Sequence, residues 1–156
     1  STRKESSAAS DVYKRQKVPG VIGVKDATGN IGRGTELLRL ARKDFFVYSG
    51  DDATAMALMF CGAKGNISVT ANIAPRAMHQ LCDAAMNQRV AEAVEINNKM
   101  IPLHTKLFIE PNPVPLKWAM AELGLIPSGM RLPIVPLAAE FHDIVRAAMR
   151  ESGVLQ

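Results

Sequence analysis

The stretch GVIGVKDATGN, residues 20–30, holds a short β-branched run, Val21-Ile22-Gly23-Val24-Lys25, opened by Pro19-Gly20 and closed by the turn residues Asp26–Asn30. An apolar run bounded in this way reads as a strand. Downstream, Ile31–Arg42 carries Leu37, Leu38 and Ala41 at helical spacing, and Phe45-Phe46-Val47-Tyr48 forms a second strand stopped by Ser49-Gly50. Asp51 or Asp52 can cap the helix expected over Ala53–Cys61, since a carboxylate there takes up the free amides of a first turn. Gly62 ends that helix, and Gly65 leads into a third strand, Asn66-Ile67-Ser68-Val69-Thr70. Pro75 then opens a helix over Arg76–Met86, at a position where its missing N–H is no loss. Strands alternating with helices over short connections predict an α/β fold with a parallel sheet of right-handed crossovers. The strands are apolar on both faces, as when helices cover one side and a barrel interior the other.

After Gln88 the alternation stops. Val90–Lys106 and Pro113–Leu123 read as helices separated by the loop Phe108–Asn112, and Leu137–Ser152 as a third, with Phe141, Ile144, Val145 and Ala148 on one face. Proline-rich segments at Pro111–Pro115 and Pro127–Pro136 join them. The expected organisation is three β/α units over residues 17–88, then a helical extension over 89–156. Residues 1–16, STRKESSAASDVYKRQ, carry no core-forming pattern, and SAASDVYKRQ resembles translated adaptor sequence. They are set aside as a non-native or disordered leader, with a short flexible tail as the plainer alternative.

Composition narrows the function classes. With 47% apolar and 22% charged residues the 156-residue chain is of globular type, enough for one ordinary domain. No apolar run approaches the roughly 18–20 residues of a membrane span, and the polar start does not read as a signal peptide. Cys61 and Cys82 fit neither a CxxC nor a zinc spacing and sit among apolar residues. They are expected to be buried free thiols, as in a cytoplasmic protein. The net charge of +4 suggests nucleic acid at first sight, but half of it lies within residues 1–16 and the rest forms no basic stripe with interleaved aromatics. Neither a nucleic-acid nor a membrane partner is expected.

Lys25 is the sharpest chemical candidate. Side chains alternate along a strand, so Val21, Gly23 and Lys25 share one face while Ile22, Val24 and Asp26 share the other. A lysine at the C-terminal end of a barrel strand points to where barrel active sites are built. Desolvation there would disfavour the ammonium and free the amine to attack a carbonyl. The plainer reading is a lysine that ends a strand and reaches for water. The glycines of GNIGRG could hold a phosphate at the next helix start, although loop geometry alone accounts for them. Asp51-Asp52 could be paired carboxylates, but capping is the simpler role. His79, His104 and His142 are far apart with no second ligand at metal spacing, so no metal is expected. Met56, Met59 and Met78 fall on apolar helix faces and read as core.

GVIGVKDATGN (20–30), YSGDD (48–52), GNISVTANIAP (65–75) and PLHTKLFIEPNPVPLKWAMAELGL (102–125) together resemble the dihydrodipicolinate synthases. These belong to the superfamily of pyruvate-dependent Schiff-base aldolases and lyases. The resemblance runs over Lys17–Gln156; a G-x-K-[DE] strand is common to the superfamily, while ISVTAN and EPNPxPxKW are similar to the synthases in particular. It implies a (β/α)8 TIM barrel of which this chain holds the last three β/α units, followed by a C-terminal helical extension. It implies that Lys25 condenses with pyruvate, that the carbonyl of Ile67 lies near the bound pyruvate, and that Gly50 lies at the mouth of the site. The implied reaction joins pyruvate, as a lysine Schiff base and enamine, to aspartate semialdehyde. The product is 4-hydroxy-tetrahydrodipicolinate, in the diaminopimelate route to lysine. No cofactor is implied, and a cytoplasmic homotetramer is.

A whole barrel needs about 250 residues. The resemblance therefore implies that the first five strands lie outside this sequence, with the proton relay, the carboxylate-gripping arginine and the lysine feedback site. On that reading the chain is a truncated piece, inactive alone and exposed to aggregation through unpaired strand edges. Three alternatives stand beside it. Another pyruvate Schiff-base aldolase, such as an N-acetylneuraminate lyase or a keto-deoxy sugar acid aldolase, would share Lys25. A non-catalytic assembly module would use the helical C-terminus as an interface, and a phosphate-binding barrel would hold its ligand at GNIGRG.

Overall fold

A computed structural model describes residues 14–156; the expected leader lies outside the described residues as far as position 13. The elements run β1 (Gly23–Asp26), α1 (Ile31–Leu40), β2 (Phe46–Ser49), α2 (Asp52–Phe60), α3 (Pro75–Met86), α4 (Val90–Lys106), α5 (Val114–Glu122) and α6 (His142–Glu151), with 3-10 turns at Thr70–Asn72 and Ala139–Phe141. The fold is α/β, and the elements follow the alternation read from the sequence as far as α2; the third expected strand is not formed as an element. The chain divides into two compact units, one of residues up to Ile67 with Cys82–Val90, the other of Ser68–Leu81 with Ala91–Gln156.

In the first unit β1 and β2 pair in parallel, with Val24 beside Val47, Lys25 beside Tyr48 and Asp26 beside Ser49. The connection between them is α1, whose start is capped by Asn30 accepting from the Arg33 amide at 2.9 Å. Leu37 of α1, 2% exposed, packs with Phe45 and Val47 and with the half-buried Val21 and Val24. Burying side chains of this size contributes about 1.5–3 kcal/mol each. That cluster assigns the Val24/Val47 side of the sheet to the helix and leaves the Lys25/Tyr48 side opposite it. Close approach of α1 and α2 depends on Gly34, where a β-carbon would stand 2.4 Å from Leu58 Cδ1. The far end of α1 is closed by Gln16, itself 7% exposed: its Nε2 donates to Leu40 O at 3.1 Å and its Oε1 accepts from the Arg42 amide at 2.8 Å.

The third expected strand, Asn66–Thr70, is realised only as a single parallel bridge between Ser49 and Asn66. The ladder is present over a short reach: Lys64 N donates to Val47 O, Ser49 N to Gly65 O and Ile67 N to Ser49 O, at 2.8–2.9 Å. It stops because Ser68 turns the chain, its Oγ accepting from the Ala71 amide at 2.9 Å, and the backbone enters the 3-10 turn at Thr70. A serine that bonds its own backbone two or three residues on competes with a sheet ladder, and here it wins.

The second unit is helical. Ala93, Asn97, Met100, Leu103 and His104 form the buried stripe of α4. Met100 and Leu103 of that stripe meet Leu116 and Ala119 of α5 and Val145, Ala148 and Met149 of α6 in one core. Ile144, expected on the buried face of α6, is 40% exposed. The stripe is Val145, Ala148, Met149 and Ser152, and one residue is a 100° step around a helix. Cys61 is likewise exposed rather than buried, since it caps the end of α2 just before Gly62; Cys82 is half-buried, and both thiols are free. Among the described residues no helix is long and apolar enough to cross a membrane.

Candidate functional site

Lys25, Gly50 and Ile67 all lie in the first unit, at the C-terminal ends of the three parallel segments. The hydrogen-bond ladder sets them side by side: Gly50 N donates to Asp26 O and Ile67 N donates to Ser49 O, each at 2.8 Å. β1 delivers Lys25 as its penultimate residue on the face turned away from α1. Gly23, two residues earlier on the same face, has no room for a side chain, since a β-carbon would meet Phe46 O at 2.5 Å. The lysine is exposed rather than desolvated, so the expected burial of its amine is not realised in this structure.

Gly50 and Lys25 are in direct contact. A β-carbon at Gly50 would stand 2.2 Å from Lys25 Cε and 2.8 Å from Lys25 Cγ. Ile67 is 51% exposed. An amine on four methylenes, lying across a glycine at the end of a parallel sheet, can attack an electrophilic carbonyl brought to that surface.

Behind these three residues a polar layer fixes the loops. Asp26, 7% exposed, receives Arg33 Nε at 3.3 Å and Thr28 Oγ1 at 3.1 Å, which ties the turn after Lys25 to the first turn of α1. Asp51 rather than Asp52 caps α2, accepting from the Thr54 amide at 3.0 Å and from Thr54 Oγ1 at 2.6 Å. Asp52 is 1% exposed and accepts from Asn66 Nδ2 at 2.6 Å, joining the start of α2 to the third segment. The two aspartates therefore have separate structural partners and are not a paired-carboxylate site.

The histidines are used singly. His104, 3% exposed, is hydrogen-bonded through Nδ1 to the buried Thr70 Oγ1 at 2.9 Å. His142 stacks on Trp118 with ring centroids 4.6 Å apart, and its Nε2 is 3.1 Å from Leu137 O. His79 is exposed. Among the described residues no three His, Cys, Asp or Glu side chains come together as a metal site would require. Sequence reasoning missed the Lys25–Gly50 contact and the Thr70–His104 and Asp52–Asn66 pairs. The members of the last two are 34 and 14 residues apart, beyond any local periodicity.

The model of the dihydrodipicolinate synthetase family matches residues 8–152, starting within the segment read as a leader. Among curated proteins, the 4-hydroxy-tetrahydrodipicolinate synthase of Herminiimonas arsenicoxydans is 82% identical over 145 residues, covering 93% of this chain and 50% of that protein. That of Pseudomonas aeruginosa is 56% identical over 92% of this chain and 49% of its own length. Among solved structures, the dihydrodipicolinate synthase of Acinetobacter baumannii, determined in complex with pyruvate, superposes with a TM-score of 0.91 at 45% identity. It is covered over 50% of its chain, and 94% of this chain is matched. The enzyme of Thermotoga maritima gives 0.86 at 34% identity, over 96% of this chain and 51% of its own. The chain thus spans about half the length of the relatives it matches.

Proposed function

The chain belongs to the dihydrodipicolinate synthetase family, and from that premise we propose that it is the later part of a lyase that joins pyruvate to aspartate semialdehyde through an imine on Lys25. The observation that carries this reading is the position of Lys25: at the end of β1, on the face away from α1, across Gly50. In the complete enzyme β1, β2 and the Gly65–Ile67 segment are the sixth, seventh and eighth strands of a (β/α)8 barrel, and α4–α6 are its helical extension. The carbonyl of Ile67 faces the bound pyruvate and Gly50 borders the mouth of the site. The complete protein assembles as a homotetramer.

The chemistry follows from the amine. Lys25 Nζ, deprotonated, attacks the ketone carbon of pyruvate, and the ketone oxygen leaves as water after proton transfer. The imine that remains is an electron sink, so a proton departs from the former methyl group and an enamine forms. The enamine carbon bonds to the aldehyde carbon of aspartate semialdehyde, whose oxygen takes up a proton. The amine of that substrate then attacks the imine carbon and expels Lys25, closing the ring of 4-hydroxy-tetrahydrodipicolinate. One difficult carbanion step is divided into easier ones, and the lysine itself supplies what an organic cofactor would.

Incubation with pyruvate and borohydride, followed by intact mass and peptide mapping, tests this directly. A reduced pyruvyl adduct on Lys25 is expected. A folded chain that gains no adduct, or gains it on other lysines, would remove the assignment.

A further inference from the structure

We propose that Gly50 is a positioning residue, whose missing side chain leaves the trough in which the Lys25 methylenes lie and so sets where the amine stands. The inference rests on the reading of Lys25 as the imine-forming residue. The backbone does not ask for glycine here. Six described glycines adopt positive φ, Gly20, Gly29, Gly62, Gly65, Gly124 and Gly153, and Gly50 is not among them. Space does ask for it. A β-carbon would meet Lys25 Cε at 2.2 Å, Lys25 Cγ at 2.8 Å and Ala27 Cβ at 2.8 Å, all well inside ordinary contact.

Gly50 cannot retreat from that clash. Its amide is held to Asp26 O at 2.8 Å, on the strand that carries Lys25. On the other side Ser49 Oγ donates to Asp51 O at 2.9 Å and accepts from the Asp51 amide at 3.2 Å, closing the turn around it. Asp51 is in turn committed to capping α2. The exposed lysine chain yields first and displaces the amine, while the Ala27 methyl, 2.8 Å from the added carbon and close to its own backbone, yields less easily, so Gly50→Ala also loads the turn after β1. Ala27, an exposed turn residue, forms the other wall of the same trough.

The test compares the unaltered chain with Gly50→Ala, Gly50→Ala/Ala27→Gly and Ala27→Val. Labelling of Lys25 by pyruvate and cyanoborohydride is followed by peptide mass against pyruvate concentration, and each melting temperature is recorded. The limiting labelling rate of Gly50→Ala is expected to fall about 10- to 100-fold, the size of effect that a misplacement near 1 Å produces. The rate should fall by more than half-saturation by pyruvate changes, and whatever Gly50→Ala loses in melting temperature should return in the double variant, which removes the Ala27 methyl. The double variant should recover part of the rate, because removal of the Ala27 methyl returns room to the lysine. Labelling of Gly50→Ala at the unaltered rate overturns the inference and leaves the lysine assignment standing; absence of Lys25 labelling in the unaltered chain overturns both. If Gly50→Ala does not fold, Ala27→Val decides: slowed labelling supports the trough, and an unchanged rate overturns it.

Discussion

At the scale of single residues, the proposed imine chemistry asks of position 25 what lysine can do and arginine cannot. Lys25→Arg keeps a cation at the end of β1, but a guanidinium stays protonated and is not a usable nucleophile. Pyruvate labelling at position 25 should disappear while the melting temperature stays within a degree or two; labelling near the unaltered level would contradict the mechanism. Trp118 illustrates the opposite kind of residue. It is half-buried, stacked on His142 and covered by the Arg146 guanidinium at 5.1 Å from its ring. Arg146 is itself held by Glu122 at 2.6 Å and Asp143 at 3.1 Å. Trp118→Ala should cost about 2–3 kcal/mol, less than a fully buried tryptophan would, with pyruvate labelling retained. A stable variant that no longer labels would refute this purely structural role. The face of Lys25 was legible from strand alternation, but alternation holds only within β1: Val21, read on the face of Lys25, packs instead with Val24 against Leu37, and Ile22, read with Val24, is exposed, because the strand begins at Gly23. The contact of Lys25 with Gly50 was not legible, since a period of two describes one strand and not the spacing between two.

At the scale of elements, boundaries were legible to within one or two residues where a capping side chain marks them. The capped start of α2 is an example: the sequence left Asp51 and Asp52 open, and Thr54 settles the choice by giving Asp51 both its amide and its hydroxyl. Asp51→Ala should lower stability by about 1 kcal/mol, the usual worth of an N-cap, read as a fall of several degrees in melting temperature; Asp51→Asn should restore most of it. An unchanged Asp51→Ala melt would show that the first turn finds other acceptors. The third segment was misjudged because Ser68 prefers a local bond to the ladder, a competition that a β-branched run does not reveal. The two cysteines differ for similar local reasons. Burial pushes the Cys82 thiol up, a hydrogen bond with the Asn66 backbone opposes that, and the Asp52 charge adds to it. The thiolate is the reactive form, so alkylation at pH 8 should proceed much faster at the exposed Cys61, and faster labelling of Cys82 in a mass-mapped time course would contradict this.

At the scale of the whole molecule, the alternation of strands and helices was readable because each element buries an apolar face of its own period. How the polypeptide handles its unpaired edge is a separate matter, decided by what is left over after pairing. Among the described residues β1 pairs only with β2, on the side where Ile22 O accepts from Phe46 N at 2.8 Å. Ile22 is 67% exposed and Ile67 51%, so apolar surface flanks the sheet. An exposed, apolar strand edge recruits further strands, and charge or proline placed on such an edge is how proteins suppress that pairing. Self-association of this chain should therefore rise with concentration, and Ile22→Lys should reduce it, as a charge beside an open edge does. The backbone bond made by residue 22 does not involve its side chain, so the β1–β2 pair and pyruvate labelling at Lys25 should both persist. Static light scattering across a concentration series checks this. Scattering unchanged in Ile22→Lys would move the source of association away from the β1 edge, and Ile67→Lys at the end of the third segment would then locate it.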